Sequence, residues 1–371
     1  MSMTHLKSER IGNPCKKLFI LLPAATPDGP IKGAYALANA LVENINVTVV
    51  TLKLGTGVDA PLDPRIEQIC LASNGNFIRR LFLYRRLLRE AGGRRACYSL
   101  SMCFSADIVN ALCGAVSKTM ISIRGNLTEN YRHDYGMSGI LLAWTHLTIT
   151  RFFDQCIAMT EPMAKQISSI GAQKSVVIGN FVDETHLAAY HYRQTQLDSH
   201  LRFVFLGSLT SRKQPLLVIT ALNQLVQLGL DVHLDIVGQG PLLDAVRLLL
   251  SQLGLEARVT IHGQLPEPYP LLVQADALIL PSLSEGLSRA ALEALFLGVP
   301  CVLRQVDGNA ELIQQGINGV LFSSDNELAK AMREAGDLRR RLGKGGCLLP
   351  HAFRQRICSA QYLHIMEDSL E

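Results

Sequence analysis

Short apolar segments alternate with helical segments through most of this 371-residue chain. The run KKLFILLPA (16–24) is typical of a buried strand, GAYALANALVEN (33–44) of a helix, and INVTVVTLK (45–53) of a second strand. A strand, a helix and a strand at this spacing predict a βαβ unit, which requires parallel strands in one sheet. This alternation restricts the chain to the α/β class.

The alternation occurs in two series with a polar break between them. Strands are predicted at 118–125, 155–160 and 174–180 in the first series, and at 201–207, 232–238, 258–263, 276–282, 299–304 and 319–323 in the second. Helices are predicted at 214–229, 241–254 and 288–298, each of which ends at glycine. We therefore predict a Rossmann-like N-terminal domain (1–183), a linker and hinge (184–200), a Rossmann-like ligand-binding domain (201–350), and a C-terminal helix (351–371) that packs back toward the first domain.

The composition narrows the classes of protein to which the chain can belong. Apolar residues make up 48% of the chain and charged residues 18%, which allows sizeable cores and argues against disorder. The net charge of +4 suits an anionic ligand or a membrane surface. Nine cysteines without CxxC spacing indicate free thiols in a reducing compartment. With no signal peptide or spanning segment recognised, we expect a cytoplasmic protein, with peripheral association at the inner face of the cytoplasmic membrane left open.

Glycines and cations gather where the second series of strands ends. In FLGSLTSRKQ, Gly207 ends a strand, and Arg212 and Lys213 precede a helix. Ligands of such sheets bind beyond the carboxyl ends of the strands, and cations beside a helix N-terminus suit a diphosphate. A solvated loop with incidental charges is the alternative, so this motif alone leaves the function open.

A second glycine loop, DIVGQGPLLDAV, places Gly238 and Gly240 after a strand and Pro241 at a helix start. It resembles the first half of a dinucleotide fingerprint. However, Leu243 occupies the third glycine position, and Glu256 precedes a strand instead of ending one. A nicotinamide cofactor is therefore not expected, whereas a turn that admits a nucleotide base is compatible with the loop.

The segment PSLSEGLSRAALE carries two glutamates around a predicted helix start. Ser288 is the predicted N-cap, so the amides near 286–290 form a positive pole that suits a phosphate. Glu285 lies just outside the helix, and Glu293 lies within it on the same face as Arg289. The alternative is a surface helix with one exposed ion pair.

The order and spacing of these motifs resemble the retaining GT-B-fold glycosyltransferases of the glycosyl transferases group one family, similar to glycosyltransferase family four. The resemblance covers about residues 201–323 and, more loosely, LANALVENINVTVVT, VVIGNFVD and DGNAELIQQGINGVLF. It implies two doubly wound Rossmann-like α/β domains that face each other across a cleft. It also implies retaining transfer of a sugar from a nucleoside diphosphate sugar, UDP-sugar in preference to GDP-sugar, to a glycan or lipid-linked glycan in surface polysaccharide or lipopolysaccharide assembly.

The resemblance assigns roles to individual residues. Glu285 would contact the transferred sugar, Glu293 the ribose, and Lys213 the diphosphate. The implied catalytic residues are Glu285, Lys213 and Arg124. The implied donor-binding residues are Gly207, Ser208, Arg212, Lys213, Gly238, Gly240, Pro241, Glu285, Gly286, Leu287, Ser288, Arg289 and Glu293, and the implied acceptor-side residues are Gly29, Lys32, Arg124 and Asn126.

Some positions depart from the family pattern. Ser208 stands where the family usually has arginine, so Arg212 or Arg289 is expected to replace that cation. Arg124 stands where members often have histidine, and its role stays open between a ligand contact and a structural ion pair. The chain has no Asp-x-Asp motif, so neither a metal nor another cofactor is expected.

The segment FIRRLFLYRRLLREAGGRRACY (77–98) holds seven arginines that do not segregate to one side of a helix. An anionic membrane surface is therefore a further candidate partner. Nucleic acid is not expected, since the chain has a single tryptophan and no recognised binding motif. A nucleotide-sugar epimerase and a non-catalytic nucleotide-sugar-binding protein are the competing functions.

Overall fold

The structure, a computed structural model, describes residues 16–58, 61–71, 76–171, 175–190, 200–343 and 346–368. Residues 1–15 lie outside these ranges, as do residues 191–199 in the predicted linker. The strands form two sheets, and every strand pair in both sheets is parallel.

The first sheet has seven strands in the order β3-β2-β1-β4-β5-β6-β7. They are β1 (Lys17–Ala24), β2 (Asn46–Lys53), β3 (Glu67–Cys70), β4 (Cys97–Ser101), β5 (Lys118–Ile123), β6 (Gln155–Ala158) and β7 (Ser175–Val177). Leu18 of β1 lies beside Val47 of β2 and Tyr98 of β4. The chain winds outward from β1 in both directions, which places a ligand crevice at the carboxyl end of this central strand.

The second sheet has six strands in the order β10-β9-β8-β11-β12-β13. They are β8 (Leu201–Leu206), β9 (Val232–Val237), β10 (Val259–Gly263), β11 (Ala277–Leu280), β12 (Cys301–Arg304) and β13 (Gly319–Phe322). Again the first strand is central: Phe203 of β8 lies beside Leu234 of β9 and Ala277 of β11. Each sheet is therefore doubly wound, and the predicted fold class is confirmed.

Helices connect the strands and cover both sheets. Over the described residues they are α1 (Gly29–Leu41), α2 (Phe77–Glu90), α3 (Phe104–Ala111), α4 (Leu127–Tyr135), α5 (Met137–Ile149), α6 (Glu161–Ser169), α7 (Glu184–Ala188), α8 (Pro215–Gln227), α9 (Leu243–Leu253), α10 (Tyr269–Gln274), α11 (Arg289–Phe296), α12 (Asn309–Leu312), α13 (Leu328–Leu342) and α14 (Gln355–Asp368). Helix α7 occupies the start of the segment predicted to be a linker. None of these helices is long and apolar enough to cross a bilayer.

The predicted strands of both series are present, several of them shorter than predicted, but the sequence pattern missed β3 and β4. Strand β3 is largely exposed and polar, so it has no apolar run to detect. Strand β4 is fully buried yet contains Ser99 and Ser101. The Ser99 hydroxyl donates a hydrogen bond to Asn110 Oδ1 at 2.6 Å, and Asn110 Nδ2 donates one to the Ser101 hydroxyl at 3.1 Å, so both buried polar groups have partners. Helix α1 begins four residues before the predicted start, because Pro30 is tolerated in its first turn.

The two halves share buried apolar contacts. One buried cluster contains Ile121 and Ala158 of the first sheet together with Phe203 and Ile279 of the second. A second cluster joins Tyr362 of α14 to α1 and β1, so the last helix packs on the first sheet. The eight described cysteines are all free.

Candidate functional site

A cleft of about 580 Å³ lies between the carboxyl edges of the two sheets. Loops that follow β1 and β5 form much of one wall, and loops that follow β8, β9, β10 and β11 form the other. Five basic and three acidic side chains line it: Lys32, Arg124, Arg212, Lys213 and Arg289 against Asp28, Glu285 and Glu293. This surplus of cations in a recess suits an anionic ligand.

Lys213 and Glu285 meet on the second-domain wall through an ion pair and a hydrogen bond. Glu285 is only 8% exposed. Burial raises the pKa of Glu285, but the charge and hydrogen bond of Lys213 outweigh burial and hold the pKa below its usual value. Glu285 is therefore a carboxylate at neutral pH. A ligand that displaces Glu285 can bind Lys213, and one that displaces Lys213 can bind Glu285.

Asp307 fixes the loop that carries Glu285. Its Oδ2 accepts hydrogen bonds from the Ser284 hydroxyl at 2.8 Å and from the Glu285 amide at 3.1 Å. Its Oδ1 accepts one from Asn126 of the first domain at 3.0 Å. Asp307 adopts φ 41°, which is tolerated best by short polar residues and glycine. Sequence reasoning did not single out Asp307, although it begins the DGNAELIQQG segment that carries part of the family resemblance.

Arg212 ties two loops of the same wall together. Its Nη1 donates to the Ser284 carbonyl at 2.9 Å, and its own carbonyl accepts from the Leu283 amide at 2.8 Å. Its Nε lies 3.9 Å from Asp134 of α4. Nη1 is therefore committed to holding the loop, whereas the buried Nε has no hydrogen-bond acceptor among the described residues, so Arg212 keeps a donor that can replace the cation missing at Ser208.

Arg289 and Glu293 form the second ion pair of this wall, with Nε 2.9 Å from Oε1 and both side chains mostly buried. The contact of Nε with Glu293 lacks hydrogen-bond geometry, and Nη1 of Arg289 has no hydrogen-bond acceptor among the described residues. Ser288 occupies the N-cap position of α11 as predicted, but its side chain makes no capping bond. Donors on Arg289 and at the helix start are thus left for a ligand, so Arg289 as well as Arg212 offers a replacement for the missing cation.

Glycines in this wall permit close backbone approach. A Cβ on Gly238, whose φ is 149°, would overlap the Gly207 carbonyl, and one on Gly240 would lie 2.5 Å from the Leu209 carbonyl. A Cβ on Gly286 would lie 2.6 Å from the Arg124 carbonyl in the first domain. Gly238 and Gly240 therefore join two loops of one domain, whereas Gly286 lets the two domains touch at the cleft.

Arg124 lies on the first-domain wall, beside α1. A methyl group on Gly33 would overlap its Nη2. Burial lowers the pKa of Arg124 from its usual value, and the nearby Arg289 cation acts in the same direction, while Tyr362 and Cys103 oppose them. No carboxylate among the described residues pairs with Arg124, so the structural ion-pair alternative has no partner there. An anion between Arg124 and Arg289 would relieve their repulsion.

The end of the cleft beyond β10 was not recognised in the sequence. It is formed by Gln264, Leu265, Pro268 and Tyr269, together with Gln239, whose side chain lies near Gly263. Tyr269 is 5% exposed, and its ring packs against those of His186 and Tyr190. The sequence offered one signal for these residues: they follow the carboxyl end of β10, which neighbours β9 in the sheet.

Most of the predicted site residues line this cleft. They are Gly29, Lys32, Arg124, Gly207, Ser208, Arg212, Lys213, Gly238, Glu285, Gly286, Leu287, Ser288, Arg289 and Glu293. Three do not: Gly240 and Pro241 lie behind the lining, and α9 begins only at Leu243. Asn126 caps α4 and holds Asp307 instead. Within the described ranges, no three His, Cys, Asp or Glu side chains are grouped as metal ligands.

Two doubly wound sheets that face each other across a cation-rich cleft define the GT-B class of glycosyltransferase folds. The crystal structure of HepE from Anabaena in complex with UDP and glucose matches with a TM-score of 0.71 at 17% identity, over 95% of this chain and 100% of that one. Sucrose-phosphate synthase from Thermosynechococcus elongatus matches with a TM-score of 0.72 at 15% identity, over 96% and 99%. At these identities the likeness establishes the fold.

Residues 192–346 match the family model described as glycosyl transferases group 1. The match covers less than half of the 371-residue chain and includes the motifs that carry the family resemblance.

Two relatives are named for surface glycan biosynthesis. The putative colanic acid biosynthesis glycosyltransferase WcaL of Salmonella typhimurium is 27% identical over 64% of this chain and 63% of its own length. The lipopolysaccharide core biosynthesis glycosyltransferase LpsE of Rhizobium meliloti is 26% identical over 65% and 72%. The match to WcaL thus spans less than two thirds of that relative.

Proposed function

We propose that the protein is a glycosyltransferase that moves a sugar from a nucleoside diphosphate sugar, UDP-sugar in preference to GDP-sugar, to a glycan or lipid-linked glycan acceptor. The observation that carries the proposal is the double ion pair of Lys213 with Glu285 and Arg289 with Glu293, set around the N-terminus of α11 in an interdomain cleft. A structural relative with UDP and glucose bound supports a uridine donor.

The ion pairs suggest how the donor is held. A diphosphate entering the cleft accepts hydrogen bonds from Lys213, from the unsatisfied donors of Arg289 and from the amides of α11. Lys213 then gives up part of its contact with Glu285. The carboxylate of Glu285 becomes free to accept hydrogen bonds from hydroxyls of the sugar. The same cations meet the charge that develops on the leaving diphosphate, which lowers the barrier to cleavage of the sugar–phosphate bond.

The acceptor enters from the first-domain wall, where Lys32 and Arg124 line the cleft. Its hydroxyl must lie close to the sugar carbon that carries the diphosphate. We propose that transfer retains the anomeric configuration and needs no metal ion, as the family resemblance implies. Surface polysaccharide or lipopolysaccharide assembly is the process we propose, on the basis of the relatives named for such pathways.

Product analysis tests this proposal. The protein is incubated with UDP- and GDP-sugars and a panel of glycan acceptors, and we expect UDP and a glycosylated product with an unchanged anomeric centre by NMR. Activity that persists in excess EDTA is expected as well. An epimerised sugar would show the epimerase alternative, and tight binding without any turnover across the panel would show the non-catalytic one.

A further inference from the structure

Helix α5 presents a face that is unusual for a helix in contact with water. Met137, Leu141 and Trp144 are 82%, 69% and 62% exposed, and Ile140 lies between them on the same face. Helix α5 contains no Asp, Glu, Lys or Arg, and its single histidine is buried. A solvated surface helix ordinarily carries charged residues on its outer face, so the outer face of α5 is built for contact with something less polar than water.

The apolar exposure extends over neighbouring helices. Ten of the fourteen large apolar side chains exposed in the described residues lie between positions 77 and 152. Helices α2 and α3 pack in one cluster on the Phe19 and Leu21 side of β1, and α3 packs against α5. The exposed Phe77, Ile78 and Phe82 of α2 therefore belong to the same layer as α5. We call this layer the α2–α5 face.

Basic residues flank the apolar ones. Arg79, Arg86 and Arg89 are exposed on α2, beside Ile78 and Phe82. Glu90 offsets only one of them, since it pairs with Arg86 at 2.7 Å. The arginines of α2 do not form a separate stripe, in agreement with the sequence pattern, but they surround exposed apolar side chains on its outer side.

We propose that the α2–α5 face binds the surface of an anionic lipid bilayer, with the apolar side chains of α5 and α2 inserted at headgroup depth. Tryptophan and large aliphatic side chains favour this interfacial zone, and exposed arginines are attracted to anionic headgroups. A second copy of the chain fits the face less well, because the arginines of two copies would repel each other. The inference is independent of the donor chemistry proposed above.

The placement also fits a lipid-linked acceptor. Helix α4 contributes Asn130 to the cleft, and α5 follows α4 after a single residue. A bilayer against α5 would therefore lie beside the first-domain wall, from which the acceptor is proposed to enter.

Trp144 is the only tryptophan of the chain, so its fluorescence reports on this face alone. The full chain is titrated with vesicles of phosphatidylcholine, with and without phosphatidylglycerol. We expect a blue shift and co-sedimentation with the anionic vesicles, and binding at least tenfold weaker to the neutral ones. Unchanged fluorescence with no co-sedimentation, or equal binding to both vesicles, would overturn the proposal. A blue shift that needs only higher protein concentration would assign the face to a second copy and overturn it too.

Surface substitutions supply the controls. Met137→Ser combined with Leu141→Ser keeps Trp144 and is expected to weaken vesicle binding at least tenfold. Leu248→Ser and Ile317→Ser, at exposed apolar positions of the second domain, should leave binding unchanged. Release of UDP with a soluble acceptor should be equal in all of these variants, which separates failure of this surface from failure of the proposed function. Equal vesicle binding by the Met137/Leu141 variant would also refute the assignment.

Discussion

The two walls of the cleft differ in whether their buried cations have carboxylate partners. On the second-domain wall, Lys213 and Arg289 are each paired with a buried glutamate. On the first-domain wall, Arg124 has no carboxylate partner among the described residues, and burial lowers its pKa. Two cations of one wall are therefore balanced by glutamates before a ligand arrives, whereas Arg124 on the other wall carries a charge that no carboxylate among the described residues compensates.

This difference suggests a division of work. Removing one partner of a buried ion pair is strongly destabilising, because the other charge is left unpaired. The ion pairs of the second-domain wall therefore stabilise the fold in addition to forming the donor site. Arg124 has no carboxylate partner among the described residues, and its charge becomes favourable when an anion sits between the walls. Donor binding should then depend on the paired wall, and the transfer step should depend more on Arg124.

The largest effect should come from Glu285→Ala. Loss of the carboxylate removes the group proposed to orient the sugar, and misplacement of a reacting group costs about 100-fold or more in rate. The measurement is release of nucleoside diphosphate, with circular dichroism to confirm the fold. Glu334→Ala, at a partly exposed glutamate of α13, is the matched control. Wild-type turnover by Glu285→Ala would refute the role of Glu285.

Lys213→Ala should weaken UDP binding by roughly 10- to 100-fold, the usual value of a hydrogen bond to a charged group. It also leaves the buried Glu285 carboxylate unpaired, so the free energy of unfolding should fall by about 3 kcal/mol. Calorimetric titration with UDP and denaturant unfolding measure the two effects. Lys330→Ala is the control, because Lys330 is exposed. Unchanged UDP affinity would show that the diphosphate is bound elsewhere.

Gly33→Ala tests Arg124 without altering its charge. The added methyl would overlap Nη2 of Arg124 and displace the end of that flexible side chain, so turnover should fall by about tenfold. Alanine is a better helix residue than glycine, so stability should hold or rise by roughly 0.5 kcal/mol. We expect Arg124→Gln to reproduce the loss of turnover with UDP affinity little changed. If both variants turn over normally, Arg124 has no part in transfer.

The smallest effect concerns acid stability. The pKa of Glu285 is held below its usual value by Lys213, so its ionisation stabilises the folded state above about pH 4.5. That contribution is lost as the pH falls through the lowered pKa. The melting temperature of the wild type should therefore fall more steeply below pH 4.5 than that of Glu285→Gln. Parallel curves would contradict the proposed state of the pair.

The sequence predicted the second half better than the first. Apolar strands, glycine-ended turns and two spaced glutamates are local signals, and in the second domain the site is made of such segments. The role of Asp307 could not be predicted, because its partners Asn126, Ser284 and Glu285 are joined only by folding. The contact of Asn126 with Asp307 could not be predicted for the same reason, since a polar residue after a strand can face the cleft or hold a loop.

The sequence by itself determined the α/β class, the two series of strands and the resemblance to a glycosyltransferase family, because periodicity and motif spacing are properties of neighbouring residues. Only the tertiary structure decided which charges are paired and which are not. Lys213 meets a glutamate 72 positions away, whereas Arg124 meets none among the described residues. It likewise decided that the uncharged face of α5 is exposed, because burial depends on what packs against a helix and not on its own pattern.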